Sequence, residues 1–173
     1  LIDEQLRKVG WEADTEKLRY SKGTRPEKGR NMAIAEWPTD SHVGNRGYAD
    51  YALFVGTELI ATIEAKASHK DIPSVIDYQC KEYSQNIREK DSQYQIGTWG
   101  KYKVPFTFAT NGKPYLEQYK TKSGIWFLDL RQSYNAPRAL QGWMSPDGIK
   151  ELLAQDTESK NENLKQMSFD FLT

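Results

Sequence analysis

Asp50, Glu64 and Lys66 stand in two short apolar runs, Gly47 to Phe54 and Ile60 to Lys66. Each run reads as a β-strand, with Gly56-Thr57-Glu58 between them as a three-residue hairpin loop. Counting outward from Val55 opposite Leu59 places Asp50 opposite Glu64. Alternation then puts Lys66 on the same face as Glu64. Two carboxylates opposed across a strand pair repel unless a cation lies between them. Their hard oxygen donors suit Mg²⁺ or Mn²⁺ and not zinc. Such an ion accepts a phosphate oxygen, lowers the pKa of a bound water and neutralises charge growing on a phosphodiester. Lys66 beside it can orient the attacking water, help deprotonate it and stabilise the pentavalent transition state. The chemistry is metal-assisted phosphodiester hydrolysis. The competing reading is a solvent-facing hairpin side with a salt-bridged lysine, worth about 0–1 kcal/mol. The hairpin alone does not separate the two. Nor does the Glu-x-Lys spacing, which recurs at Glu158-Ser159-Lys160 in the polar tail.

Gln79 and Tyr83, four apart on the next helical segment, point the same way. Spacing alone makes Tyr83 a core residue; the functional reading takes both polar ends to the metal site or the DNA backbone. His42 and His69 each lack a second His or Cys at ligand spacing and read as surface residues. Cys80 lies on an apolar helix face and reads as core. No Ser/His/Asp set is convincing, and no G-x-x-x-x-G-K-[ST] occurs, so this chain carries no P-loop. Lys17, Arg19, Lys22, Arg25, Lys28 and Arg30 make a basic loop, a candidate for phosphate contact, as are Lys101, Lys103, Lys113, Lys120 and Lys122. Most lysine-rich loops are simply solvated.

The elements that must position these residues follow from the patterning. The 173 residues fit one domain with a real core, and the formal charge is zero. Zero net charge gives no global nucleic-acid signature, but clustering matters more than the sum. A single cysteine cannot form an internal disulfide, which favours a reducing, cytoplasmic setting. No stretch has membrane-spanning length and no signal peptide is visible. The chain opens on Leu1 without Met, so a piece of a longer protein is expected.

Ile2, Leu6 and Val9 predict a first helix stopping at Gly10. Residues 14–30 read as a loop and Asn31 to Trp37 as a strand ended by Pro38. After the hairpin, Asp71-Ile72-Pro73-Ser74 starts a helix whose apolar face carries Ile76, Cys80, Tyr83 and Ile87. Residues 97–105 read as a loop and Pro105 to Thr110 as a strand. Tyr115 to Tyr119 and Ile125 to Leu130 predict a second hairpin. Ser145-Pro146-Asp147 caps a helix to about Leu153. Residues 1–154 are expected to form the domain. Residues 155–173 are expected to be a polar linker and an apolar segment, Met167 to Leu172, leading to an absent domain. The predicted class is α/β, a mixed sheet with helices packed on it.

Asp50, then Glu64-Ala65-Lys66, then Gln79-x-x-x-Tyr83 together resemble the PD-(D/E)xK nuclease superfamily with its added Q-x-x-x-Y motif. More narrowly, the chain resembles the N-terminal nuclease domain of the restriction (R) subunit of type I restriction enzymes. Leu1-Ile2-Asp3 through Gly10-Trp11, Phe108 to Gly112 and Pro137 through Pro146 support it, and the likeness spans nearly the whole chain. It implies a restriction-endonuclease-like α/β fold, a central mixed β-sheet flanked by helices. It implies Asp50, Glu64 and the Ala65 carbonyl as ligands of Mg²⁺, with Mn²⁺ substituting. It implies Lys66 as the catalytic lysine and Gln79 and Tyr83 as supporting residues. It implies double-stranded DNA as substrate and methylation and specificity subunits as partners, with ATP used only by motor domains outside this chain. Ala49 stands where the superfamily's name has Pro, a variable position. Some relatives use a further upstream acid; Asp3 and Glu4 are candidates, and the sequence assigns neither. The alternatives are a nuclease of another helicase-linked system, or a catalytically inactive module that binds DNA or docks a partner.

Overall fold

Runs in which every second residue is apolar form half-buried strands; runs apolar throughout form strands covered on both faces. Both kinds occur here. The computed structural model describes residues 1–41, 47–66, 72–111 and 124–155. Among them, seven strands form one sheet in chain order: β1 (Glu12–Ala13), β2 (Asn31–Pro38), β3 (Tyr48–Val55), β4 (Glu58–Ala65), β5 (Phe106–Thr110), β6 (Ile125–Asp129) and β7 (Arg138–Leu140). Neighbours run antiparallel except β1 with β2 and β4 with β5. The expected mixed α/β sheet flanked by helices is present. β1 and β7 lie outside the expected strands, being too short to show a period.

Helix α1 (Ile2–Lys8) and helix α4 (Pro146–Ala154) cover one face. Leu6 and Ile149 pack there with Leu53, Ile63, Phe106 and Phe127. The parallel step from β4 to β5 needs a crossover, and a helical segment supplies it. That segment is α2 (Ile72–Val75), a π-helical turn (Ile76–Cys80) and α3 (Lys81–Gln85). It covers the other face, where Ile72, Ile76 and Cys80 pack on Ala109 and Leu128. The thiol of Cys80 is buried, and burial raises its pKa. Ile87, placed by spacing on this helix, lies beyond its end and packs in a neighbouring cluster with Trp37 and Phe54. Ser145 caps α4 as expected, its Oγ accepting from the Gly148 amide at 3.0 Å.

The central hairpin differs from expectation. Its loop has two residues, Gly56 and Thr57, because Glu58 already pairs with Val55. Gly56 has φ +60°, as the first position of a II′ turn requires. Phe54 then faces Leu59, but Leu53 faces Ala61, so Ile60 is an extra residue on β4. This is a β-bulge. Ile60 and Ala61 both turn into the core under α1 and α4. The bulge restores the register that a three-residue loop would have produced, and the ladder runs on to Tyr51 opposite Ile63.

β2 ends at Pro38 as expected, with Pro38 itself pairing with Tyr48. One further expectation is corrected. β6 is bordered by β5 and β7, where a hairpin with Tyr115 to Tyr119 was expected. That first arm lies outside the described residues, as do His42, His69, Asp71, Lys113, Lys120, Lys122, the second Glu-x-Lys and the segment from 156 onward.

Candidate active site

Continuing the β3–β4 register one step puts Asp50 opposite Glu64, on the sheet face beneath the crossover helix. The strands part here, and a side chain replaces the backbone ladder: Asp50 Oδ2 accepts from the Ala65 amide at 2.7 Å. A strand residue's N–H and C=O leave the backbone on the same side. The Ala65 carbonyl is therefore directed toward Asp50 as well. On the far side of β4, the Lys66 amide donates to the Thr110 carbonyl at 2.8 Å, anchoring the strand end to β5.

Glu64 is 5% exposed, yet its neighbours satisfy only one of its oxygens. Oε1 lies 3.1 Å from Lys66 Nζ and accepts from Gln79 Nε2 at 3.3 Å. Oε2 is buried with no hydrogen-bond partner among the described residues. Burial, and then the Asp50 charge, push the Glu64 pKa up to about 8 against an opposing effect of Lys66. A carboxylate so placed is costly unless a further cation joins it.

Gln79 sits in the π-helical turn and Tyr83 in α3. An amide nitrogen carries two N–H groups. Gln79 uses them on Glu64 and on Tyr83 Oη, the latter at 2.8 Å. Tyr83 is core by burial, as its spacing suggested, while its hydroxyl reaches the cleft. Burial raises its pKa to about 12, so it stays protonated. It accepts from Gln79, which leaves its own proton to donate.

Asp50, Glu64, Ala65, Lys66, Gln79 and Tyr83 line one cleft of about 130 Å³. Tyr48 completes it, a residue absent from the sequence-based expectation. The signal was there: two positions before Asp50 on a strand is the same face. Asp3 and Glu4 are not in the cleft. Asp3 accepts from the Thr15 amide at 2.8 Å and from Tyr51 Oη at 2.8 Å, on the face opposite Asp50. Burial works against its charge, but these bonds, the Thr15 hydroxyl and Arg7 outweigh it and lower its pKa.

Two carboxylates, a carbonyl turned their way and an orphaned buried oxygen fit a hard divalent cation. Among the described residues no group of three or more His, Cys, Asp or Glu side chains could hold a metal, so the carbonyl is needed to extend the pair.

The family model described as "Type I restriction enzyme EcoKI endonuclease subunit second domain" matches residues 12–153. The chain belongs to this family. It is 41% identical, over 94% of its own length, to the type I restriction enzyme EcoKI endonuclease subunit of Escherichia coli (strain K12). It spans 16% of that relative's length. No solved structure matches. In this member of the EcoKI second-domain family, the matched residues include all seven strands and the whole cleft, but not α1.

Proposed function

We propose that the chain is the Mg²⁺-dependent endonuclease domain of a type I restriction R subunit, with the PD-(D/E)xK fold. It hydrolyses phosphodiester bonds of double-stranded DNA in concert with an ATP-dependent translocase. Methylation and specificity subunits and a cytoplasmic setting belong to the same reading. No helix among the described residues is long and apolar enough to cross a membrane. The observation that carries the proposal is the convergence of Asp50, Glu64, Lys66, Gln79 and Tyr83 on one cleft in a chain of this family.

Asp50, Glu64 and the Ala65 carbonyl would hold the ion. Bound there, it supplies a Lewis acid for a phosphate oxygen and for the attacking water. Lys66 Nζ, 3.1 Å from Glu64 Oε1, would bring a positive charge to the phosphate and orient the attacking water. Gln79 fixes the Glu64 carboxylate, and the Tyr83 hydroxyl, which accepts from Gln79, would have its own proton to donate to bound DNA.

The test is cleavage by the full-length enzyme carrying Asp50→Ala, Glu64→Ala or Lys66→Ala. Each is expected to abolish cutting while ATP hydrolysis continues. Wild-type cutting by Glu64→Ala would refute the assignment. The inactive-module alternative predicts no Mn²⁺ binding in calorimetry up to millimolar concentration; the intact acidic pair and lysine speak against it.

A further inference from the structure

The tertiary fold joins the basic loop to a second basic segment far along the chain. Tyr20 packs edge-on against Trp37, ring centroids 5.0 Å apart. Its ring is flanked by two guanidinium groups, Arg25 at 3.6 Å and Arg88 at 4.9 Å from the centroid. Arg88 donates to Tyr20 Oη at 2.8 Å and pairs with Asp91 at 3.0 Å. Among the described residues, Arg25 spends only Nη1, donating to the carbonyls of Tyr20 and Thr24. Its Nε and Nη2 remain for an incoming group, already oriented by the stack. Arg19 is paired with Glu36, and Arg30 with Glu12 and Glu27. Lys17, Lys22, Arg25, Lys28 and Lys90 are exposed and, among the described residues, have no carboxylate at ion-pair distance.

This patch adjoins the cleft. Tyr20 and Trp37 pack with Phe54 and Ala52, which share a sheet face with Asp50. Trp37 lies on β2, opposite Ala49, the residue next to Asp50. One strand spacing of about 5 Å and one ring contact thus put the Tyr20 ring about 10–15 Å from the carboxylates. Lys28 lies farther out, since the nearby Arg30 carbonyl accepts from Gly56 at the far end of the hairpin. The axial rise is about 3.4 Å per phosphate of one strand, and the helical winding makes successive phosphates about 7 Å apart through space, so the Tyr20 ring reaches about the second phosphate from the cleaved one.

We propose that the surface built on Arg25, Tyr20 and Arg88, with Lys22, Lys28 and Lys90, docks the phosphates flanking the scissile bond. The proposal rests on the nuclease reading for its substrate. A purely structural role, stapling the loop to the core, would account for the Arg25 and Arg88 bonds but not for the exposed lysines, unpaired among the described residues, of the same loop and of the segment after Arg88.

The experiment is fluorescence anisotropy of a labelled 20-base-pair duplex with this chain in EDTA, from about 50 to 200 mM KCl. Removing one cation that neutralises a phosphate should make the slope of log Kobs against log salt shallower by about 0.9. K22A/K28A/K90A and R25A are expected to flatten the slope by about 1–3 and about 1, with the melting temperature of the lysine variant unchanged. K101A, whose side chain lies over the Tyr102 ring in a pocket with the residues that follow β6, should leave the slope as it is. Wild-type slopes in both patch variants, or no binding at 50 mM KCl, would overturn the proposal. Because EDTA removes any dependence on the metal, the outcome is separable from Glu64→Ala cleavage, which tests the nuclease reading alone.

Discussion

At the residue scale, Glu64 decides the behaviour of the site. Its folded pKa of about 8 lies above the ordinary 4.5. Below pH 4.5 it is protonated folded or unfolded. As pH rises, the unfolded chain ionises first, so the metal-free fold loses stability between about pH 4.5 and 8. Glu64→Gln cannot ionise. It is expected to abolish cleavage yet stabilise the metal-free chain at pH 8 by roughly 2–4 kcal/mol, with no gain at pH 4. Thermal melts in EDTA across that range check it; equal melting temperatures at pH 8 would contradict the buried, proton-holding carboxyl. An ion that displaces this proton should release roughly one proton at pH 7 and about none at pH 9.5, read by calorimetry in buffers of different ionisation enthalpy. Gln79→Ala leaves Glu64 unsupported, so a 10–100-fold loss of Mn²⁺ affinity is expected in the same titration. Asp3, by contrast, serves the fold. Its lowered pKa means that its contribution is present above about pH 3.8 and fades as pH falls below that. Asp3→Asn should destabilise at pH 7, lose that effect in acid and leave cleavage intact.

At the element scale, the bulge in β4 and the π-turn do the positioning. Deleting Ile60 removes the extra residue and leaves Asp50 opposite Glu64, at the cost of a buried side chain, about 2–4 kcal/mol. Deleting Thr62 shortens the strand equally but turns Glu64 and Lys66 to the other face. Mn²⁺ binding should survive the first deletion, with a lowered melting temperature, and vanish in the second. Binding retained by both would show that register does not set the site. A three-residue loop opposes the two acids only because the omitted bulge cancels its extra residue. A bulge leaves no period in the sequence, and Glu58 reads as a turn residue until its pairing with Val55 and its bond to Lys150 at 2.8 Å are seen. The π-turn holds Gln79 where its amide spans Glu64 and Tyr83. Such turns recur at functional sites because they re-aim side chains within a helix.

At the scale of the whole molecule, the sheet separates duties between its faces. One face, under α1 and α4, holds most of the core. The other carries the cleft, the crossover helix and the basic patch around Tyr20. α1 lies outside the matched family region, yet Leu6 is fully buried and Trp143 Nε1 donates to Gln5 Oε1 at 2.9 Å. Leu6→Ala should therefore cost about 2–5 kcal/mol in denaturant unfolding while leaving Mn²⁺ affinity near wild type, since it touches only the face away from the cleft.

Local patterning put Asp50, Glu64 and Lys66 on one hairpin face, because charged groups in apolar runs stand out and alternation is a local rule, and helical spacing aligned Gln79 with Tyr83. It left a metal site and a solvated salt bridge undecided, and only the family resemblance joined the five residues into one candidate site. The central sheet, the helix after the hairpin and the α4 cap were legible from periodicity and capping. Features that depend on distant partners emerged only from the packed fold. These are the bulge behind the register, Tyr48 in the cleft wall, Asp3 on the wrong face for the site, and β7 beside β6. Packing also brought Arg88 and Lys90 to the loop of Arg25. Local rules assign each residue a direction along its own element, but contact across elements follows from how the faces pack.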